Sequence, residues 1–210
     1  TNEYSLTIPE GWNSIDIANY LDKNNLASGQ KFLKEIDEIN SQKFSSQFDF
    51  LQDRPSYAEL EGYLFPDTYK LYKNTGESEI ISRMLANFGK KLTPDLRNGI
   101  QKQNHSIFEV ITMASLVENE VISDEDRAIV SGILWKRLEK GLPLQVDATI
   151  IYAKELKSGT KLADHRRLSK DDLSIDSPYN TYKRPGLPIG SISNPGLSAI
   201  KAAIYPKDSP

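Results

Sequence analysis

Residues 113–121 read Met-Ala-Ser-Leu-Val-Glu-Asn-Glu-Val and place two carboxylates in an apolar run that begins near Ile107. Apolar density of this kind favours a largely buried helix. Four residues at helical spacing are predicted to form its buried stripe: Val110, Ala114, Val117 and Val121. At 3.6 residues per turn, Glu118 and Glu120 lie roughly 160° apart around the axis. The two glutamates therefore cannot share one environment.

A carboxyl group in apolar surroundings has a raised pKa and can donate a proton near neutral pH. One of the two glutamates, Glu118 or Glu120, is therefore a candidate general acid. The alternative is that both are solvated residues near a helix end. Helical geometry alone does not choose between them.

Composition excludes several classes of protein. The 210 residues include 26 basic and 29 acidic side chains, so the chain has no polycationic surface and we expect no nucleic-acid partner. Cysteine is absent, which excludes disulfides and thiolate metal sites and is compatible with an oxidising, extracytoplasmic setting. The two histidines, His105 and His165, are predicted to be solvated surface residues. Without a His-Glu-x-x-His spacing, we expect no metal and no other cofactor.

The sequence contains no apolar run of eighteen residues, and residues 1–3 are not a signal peptide. The chain has no initiator methionine and begins just ahead of a predicted strand. We interpret it as the outer part of a longer, membrane-anchored protein.

The pattern along the chain predicts an α+β fold with two units. Residues 4–8 read as a strand, and Ser14 and Ser28 are predicted N-caps of two small helices. A second strand over 69–72 would pair with the first, which makes this unit discontinuous. We therefore predict a strand-helix-helix unit over residues 1–75 and a mainly helical, loop-rich domain over residues 76–210.

The second unit is predicted to be a series of helices followed by loops. Its helical segments are 77–91, a short helix from Thr93-Pro94, 107–121, 124–140, 146–153 and 197–204. Residues 177–196 are rich in Pro, Gly and Asn, and loops of this length usually serve a site.

Six blocks in this order resemble one protein family. They are residues 61–69 (Glu-Gly-Tyr-Leu-Phe-Pro-Asp-Thr-Tyr), 114–120 (Ala-Ser-Leu-Val-Glu-Asn-Glu), 144–152 (Leu-Gln-Val-Asp-Ala-Thr-Ile-Ile-Tyr), 179–182 (Tyr-Asn-Thr-Tyr), 186–190 (Gly-Leu-Pro-Ile-Gly) and 194–196 (Asn-Pro-Gly). Together they are similar to the motifs of the YceG-like endolytic lytic transglycosylases of bacterial cell walls. The resemblance runs from about residue 4 to the C-terminus.

The resemblance implies an enzyme on the outer face of the bacterial cell membrane. Such enzymes cut nascent glycan strands between N-acetylmuramic acid and N-acetylglucosamine, leave 1,6-anhydro-muramic ends and limit strand length. The first unit is expected to resemble a LysM carbohydrate-binding module, and cell-wall synthases are expected partners. Two departures are the missing N-terminal membrane anchor and a chain that stops after Pro206 where the family continues into a further strand and helix.

The resemblance also implies roles for individual residues. Glu120 is the favoured general acid/base, because the second glutamate of the family's Glu-x-Glu block tolerates replacement less well than the first. Glu118 is the alternative acid or a supporting residue. The predicted substrate-binding residues are Tyr63, Gln145, Asp147, Tyr179, Asn180, Thr181 and Tyr182. For Asp147 the competing interpretation is helix capping, and for the tyrosines it is core packing.

Two alternative functions remain at this level. The chain is compatible with a non-catalytic peptidoglycan-binding or assembly module, because its first unit is LysM-like and the C-terminal extension is missing. A water-using muramidase would need a second carboxylate near the acid, and Asp147 or Asp67 would supply it.

Overall fold

The computed structural model describes residues 3–37, 39–162 and 168–208. Within these ranges the fold is α+β and mainly helical, with one small antiparallel sheet. The strands are β1 (Glu3–Thr7) and β2 (Thr68–Tyr72). The helices are α1 (Ser14–Lys23), α2 (Gly29–Ile36), α3 (Gln42–Ser45), α4 (Glu77–Lys91), α5 (Pro94–Lys102), α6 (Ile107–Glu120), α7 (Asp124–Glu139), α8 (Asp147–Ser158) and α9 (Leu197–Ile204).

The sheet confirms the predicted pairing of two strands that are far apart in the sequence. β1 and β2 run antiparallel, with Leu6 opposite Tyr69 and Tyr4 opposite Leu71. Because side chains alternate along a strand, Leu6 and Leu71 enter the core while Lys70 faces solvent. α1 and α2 lie between the two strands in the sequence and pack on each other.

Side-chain caps decide where several helices begin. Ser28 caps α2 as predicted, by accepting a hydrogen bond from the Lys31 backbone. The prediction that Ser14 caps α1 was wrong. Asn13 is the cap, because it forms a reciprocal capping box with Asp16, three residues further on.

α6 is the central helix among the helices that follow β2. Every residue from 110 to 117 is buried, and the helix packs against α7, α8 and α9. A capping box between Ser106 and Glu109 fixes its first turn. Val121, predicted to extend the buried stripe, instead follows the helix in extended conformation and is only partly buried. α6 therefore ends at Glu120, where the chain turns away.

One apolar cluster joins the first unit to the helices. It includes Leu6 and Phe32 from the first unit and reaches Ile204 in α9. His105, predicted to be a solvated surface residue, is partly buried, because its ring stacks on Trp135 with centroids 3.9 Å apart. His165 lies outside the described residues. None of the helices that the structure describes combines the length and apolar character needed to cross a membrane.

Candidate active site

A cavity of about 410 Å³ lies at the C-terminal end of α6. The turn before α1 forms one wall, and one face of α8 forms another. The residues that line the cavity are Gly11, Asn13, Asn119, Glu120, Asp147, Ala148, Ile151, Tyr152, Glu155, Lys161 and Ile192. Four of these are Asp, Glu or Lys residues, and three of the four carry carboxyl groups. The cavity is therefore predominantly acidic.

Glu118 is held by protein groups on both of its carboxylate oxygens. The Arg127 guanidinium donates to Oε1 at 2.6 Å, and the Gly196 backbone N–H donates to Oε2 at 2.9 Å. The side chains of Glu118 and Arg127 are 5% and 9% exposed. Burial raises the pKa of Glu118, and the Gly196 N–H and Arg127 oppose that rise. Glu118 thus ties α6 to α7 and to the first turn of α9.

Glu120 has different surroundings. Glu120 is exposed and lines the cavity. Within the described parts of the chain, no hydrogen bond or ion pair engages its carboxyl group. The protein around the cavity removes water from one side of this group. That desolvation raises the pKa of Glu120, and the negative charge of Asp147 raises it further. A carboxyl group with a raised pKa and no protein partner is suited to donate a proton to a ligand.

Asp147 lies across the cavity from α6, at the first position of α8. Val146 occupies the N-cap position, so Asp147 is not the capping residue. The Tyr182 hydroxyl donates a hydrogen bond to Asp147 Oδ1. Desolvation, this hydrogen bond and the charges of Asp147 and Glu120 raise the pKa of Tyr182 to about 12. The Tyr182 hydroxyl therefore remains a donor at physiological pH.

Asn180 and Thr181 are both 1% exposed and use their side chains inside the protein. Asn180 Nδ2 donates to two backbone carbonyls of the preceding loop, while its Oδ1 accepts from the Tyr182 and Lys183 N–H groups. Thr181 Oγ1 accepts from the Val146 backbone at 3.0 Å. These contacts hold the loop that carries Tyr182 against the first turn of α8. The two residues therefore stabilise the structure around the cavity without lining it.

The remaining predicted binding residues, Gln145, Tyr179 and Tyr63, do not line the cavity. Gln145 lies beside the cavity in left-handed conformation, with φ of 56°, and its Oε1 accepts from Arg137. The Tyr179 ring contacts the buried Tyr152 edge to face, with centroids 5.0 Å apart.

Tyr63 lies in the core with 1% of its surface exposed, against the rings of Phe50 and Phe88. It is not among the cavity-lining residues. In this position the Tyr63 ring has no face open to a sugar.

Sequence reasoning did not identify Glu61, which is buried next to the cavity wall. Its carboxylate accepts from the Ser14 backbone and hydroxyl, from Asn194 Nδ2 at 2.8 Å and from the Tyr152 hydroxyl at 3.1 Å. Burial raises the pKa of Glu61 to about 7. The available signal was an acidic residue between Leu60 and Gly62 in an apolar block, the same anomaly that identified α6.

Glu155 was also missed. It follows Asp147 by eight residues, so both lie on the face of α8 that lines the cavity. Glu155 is 1% exposed and accepts from Asn13 Nδ2 at 3.0 Å and from Lys161 Nζ at 2.7 Å. The helical spacing from Asp147 was a usable signal. The contact with Asn13, 142 positions away, was not.

No group of three or more His, Asp or Glu side chains in the described ranges is placed to hold a metal ion. What the arrangement offers chemically is one unpaired carboxyl group with a raised pKa, facing a second carboxylate, Asp147, across a cavity of ligand size.

Comparison with known proteins gives consistent matches over the whole chain. A model of the YceG-like family matches residues 1–210. An endolytic murein transglycosylase of Streptococcus pneumoniae serotype 2 is 36% identical, over 95% of this chain and 38% of the relative. An endolytic murein transglycosylase of Bacillus subtilis is 31% identical, over 97% of this chain and 56% of the relative. The chain thus spans less than two thirds of either curated relative.

The fold has also been seen in a crystal structure. A YceG-like protein from Listeria monocytogenes superposes with a TM-score of 0.82 at 32% sequence identity. The match covers 98% of this chain and 67% of that chain.

Proposed function

Since this chain belongs to the YceG-like family, we propose that it is the peptidoglycan-cleaving part of an endolytic transglycosylase. The observation that carries this proposal is the free carboxyl group of Glu120 at the wall of the cavity. The relatives named endolytic murein transglycosylases support the choice of substrate. Glu120 is the proposed general acid/base, and Glu118 is a supporting residue that positions α6.

The proposed reaction needs one such group. The Glu120 carboxyl protonates the oxygen that leaves as the bond from C1 of N-acetylmuramic acid breaks. The muramic acid's own 6-hydroxyl then attacks C1, and the Glu120 carboxylate accepts the hydroxyl proton. The products are a free N-acetylglucosamine end and a 1,6-anhydro-muramic end. Because the attacking hydroxyl belongs to the substrate, no bound water has to be activated.

Other residues are proposed to hold the substrate. Asp147 faces the cavity and offers an acceptor to sugar hydroxyl and N-acetyl groups. Tyr182, whose hydroxyl donates to Asp147, is proposed to bind substrate together with it. Gln145 and Tyr179 lie next to them. Asn180 and Thr181 are proposed to act by positioning the Tyr182 loop. The burial of Tyr63 favours a structural contribution for that residue.

The setting of the whole protein is proposed from the family. Residues 1–75 would form a LysM-like glycan-binding unit, and residues 76–210 would form the catalytic unit. The element order β1, α1, α2, α3, β2 supports the first of these, since two helices follow β1 and the strand β2 closes the sheet. The full protein would act at the extracytoplasmic face of the cell membrane, limit the length of nascent glycan strands and work beside cell-wall synthases.

A second candidate function, a water-using muramidase, is favoured by one observation. Asp147 lies in the same cavity as Glu120, where its carboxylate has a place from which to activate water. Asp67, the other predicted candidate, instead contacts Asn87 and Lys91 and does not line this cavity.

The experiment compares wild type, Glu120→Gln and the matched control Glu118→Gln on purified uncrosslinked glycan strands, with products identified by mass spectrometry in H₂¹⁸O. We expect anhydro ends without ¹⁸O from wild type, and a loss of rate of about 10²-fold or more in Glu120→Gln. Glu118→Gln should still form anhydro ends. Wild-type rates in Glu120→Gln would contradict the assignment of the acid.

The alternatives have their own signatures in the same experiment. Reducing muramic ends that contain ¹⁸O, lost in Asp147→Asn, would indicate the muramidase. Binding to glycan without any cleavage would indicate the non-catalytic peptidoglycan-binding or assembly module.

A further inference from the structure

Asn119 lies between Glu118 and Glu120 in the last turn of α6 and lines the active-site cavity. The residue is exposed, in contrast to the buried residues 110–117 that precede it. The sequence pattern assigned no role to Asn119, and the proposed reaction does not use it. Its side chain has two N–H donors on Nδ2 and one acceptor, Oδ1. The contacts of these groups decide what the side chain can offer to a ligand.

Both protons of the Asn119 amide have acceptors inside the protein. Nδ2 donates to the Ser115 carbonyl at 2.7 Å and to the Ser193 hydroxyl at 2.8 Å. Two acceptors for two protons leave no N–H for a ligand. Ser115 and Ser193 are 0% and 1% exposed, so the amide is anchored to the protein interior.

The hydrogen bonds of Ser193 also fix which end of the amide is which. The Ser193 hydroxyl donates its proton to the Ser115 carbonyl at 3.4 Å, so its oxygen is an acceptor for Asn119. An amide turned over would place Oδ1 against the Ser115 carbonyl, where two acceptors would face each other without a proton between them. Nδ2 therefore faces the anchors, and Oδ1 is the end left over.

Among residues 3–37, 39–162 and 168–208, no group donates a hydrogen bond to Asn119 Oδ1. Asn13, the other asparagine that lines the cavity, is different. Its Oδ1 accepts from the Asp16 backbone, and its Nδ2 donates to Glu155. Asn13 is thus engaged at both ends and Asn119 at one. A rigidly held amide with a free acceptor, beside the proposed acid, is preorganised to bind a donor.

The free acceptor carries no charge, and this matters beside Glu120. A carboxylate at position 119 would add a negative charge that raises the pKa of Glu120 further, as Asp147 already does. An amide oxygen binds a donor without that effect. Sugar hydroxyl and N-acetyl N–H groups are such donors, whereas an ionised carboxylate or phosphate offers only acceptors.

We propose that Asn119 is a substrate-binding residue whose Oδ1 accepts a hydrogen bond from a hydroxyl or N–H group of the sugar at the cleaved bond. Ser193 is its positioning residue, because it holds the amide in this orientation. The inference rests on the proposed function, since it takes the glycan strand as substrate. The same hydrogen bonds join the last turn of α6 to the loop before α9, so the acceptor keeps a fixed place relative to Glu120.

The test uses three variants. Asn119→Ala removes the acceptor, and Ser193→Ala retains the acceptor but removes one of its anchors. Asn98→Ala is the matched control, because Asn98 is an exposed asparagine inside a helix, α5, and does not line the active-site cavity. KM and kcat are measured on uncrosslinked glycan strands, at a temperature at which thermal unfolding shows all four proteins to be folded.

We expect Asn119→Ala to raise KM roughly tenfold through the loss of one hydrogen bond to the substrate, with kcat nearly unchanged. Ser193→Ala should give a smaller rise in KM, and Asn98→Ala should match wild type. A purely structural contribution of Asn119 would lower the unfolding temperature of Asn119→Ala and leave its KM at the wild-type value. That result would overturn the inference.

NMR of the side-chain amide groups tests the contact directly, in a Glu120→Gln protein that holds the strand without cutting it. The Asn119 resonances are identified by their absence from Asn119→Ala. Adding uncrosslinked glycan strands should shift them and leave those of Asn98 in place. Ser193→Ala should move the resonance of one of the two Asn119 amide protons. An Asn119 amide that does not respond to saturating glycan would contradict the proposed contact.

The two proposals fail in different ways. Cleavage by wild type with an unchanged KM in Asn119→Ala would remove only the binding contribution of Asn119. A glycan-dependent shift of the Asn119 amide in a protein that cleaves no glycan would remove the proposed catalytic function and leave the contact standing.

Discussion

Glu118 and Glu120 lie two positions apart on α6 and differ in what their carboxyl groups contact. The Glu118 oxygens accept from Arg127 and Gly196, and Glu118 is not among the residues that line the cavity. Glu120 lines the cavity beside Asp147. The physical difference between the candidates is therefore their hydrogen bonding. Desolvation by the surrounding protein raises the pKa of both carboxyl groups, so the pKa shifts alone do not separate them.

We predict that Glu118→Gln destabilises the fold while Glu120→Gln does not. The first change leaves the Arg127 guanidinium, 9% exposed, with the solvent-exposed Asp124, at 3.6 Å, as its one charged partner among the described residues. The free energy of unfolding of the Glu118→Gln variant should therefore fall by about 1–3 kcal/mol. The second change should stay within about 0.5 kcal/mol of wild type. Urea unfolding of the three proteins measures both values, and equal stabilities would contradict the structural assignment of Glu118.

Asp147→Asn should shift the pH dependence of kcat/KM. The negative charge of Asp147 raises the pKa of Glu120, so removing it lets the acid lose its proton at lower pH. The basic limb of the profile should therefore move toward lower pH. Tyr182→Phe is the control, since it removes the hydroxyl that contacts Asp147 and keeps the charge. A basic limb that stays in place in Asp147→Asn would indicate that another group sets it.

At the scale of elements, the segment after Leu60 is where the first unit, α6 and the loop before α9 meet. Asn194 Oδ1 accepts from the Gly62 and Leu64 N–H groups, at 2.8 and 3.0 Å, and its Nδ2 donates to the Trp12 carbonyl at 3.1 Å. Backbone groups from two loops are thus satisfied by one side chain. The path of these loops sets the position of the cavity wall.

A glycine pair tests this junction. Gly62 has φ of 97°, and a Cβ there would lie 2.3 Å from Ser191 Oγ and 2.8 Å from Ile111 Cγ2. Gly141 also has positive φ, 66°, but has open space around it. We predict that Gly141→Ala costs about 1 kcal/mol of unfolding free energy, from backbone strain. Gly62→Ala should cost about 1–3 kcal/mol more, from overpacking. Thermal and urea unfolding measure the difference, and equal costs would argue against close packing at Gly62.

At the scale of the whole molecule, Glu61 connects parts of the chain that are remote in sequence. Its partners are Ser14 at the start of α1, Tyr152 in α8 and Asn194 before α9. These partners lie 47, 91 and 133 positions from Glu61. A fully buried carboxyl group at this junction makes the stability of the whole fold depend on pH.

We predict that stability falls as pH rises from about 4.5 to about 7. Burial raises the pKa of Glu61 from 4.5 to about 7, so the folded protein binds more protons than the unfolded chain in this window. The contribution is fully present below pH 4.5 and is lost by about pH 7, with a size of about 3 kcal/mol. Glu61→Gln should remove this part of the pH dependence, as measured by urea unfolding at several pH values.

Glu125→Gln, at an exposed position, is the control for the loss of one carboxylate. Glu125→Gln should retain the pH dependence of wild-type stability. If Glu61→Gln retained it as well, Glu61 would not titrate in this window.

Sequence patterns predicted most of the local structure because local structure depends on near neighbours. The predicted bounds of α4 and α9 are confirmed, as is the pairing of β1 with β2. The misplaced cap of α1 had a readable signal, since Asp16 stands three residues after Asn13 and completes a capping box. The stacking of His105 on Trp135 had none, because the two rings come from segments thirty positions apart. The division into units at residues 75 and 76 stays a prediction.

The sequence by itself determined the helices, the anomalous carboxylates on α6 and the opposite directions of Glu118 and Glu120, because these follow from spacing along one helix. Only the tertiary structure decided which glutamate is engaged and which is free. The groups that settle that question, Arg127, Gly196 and Asp147, come from α7, the α9 N-cap and α8. A helical spacing specifies the angle at which a side chain leaves its helix, whereas its partners depend on how distant segments pack.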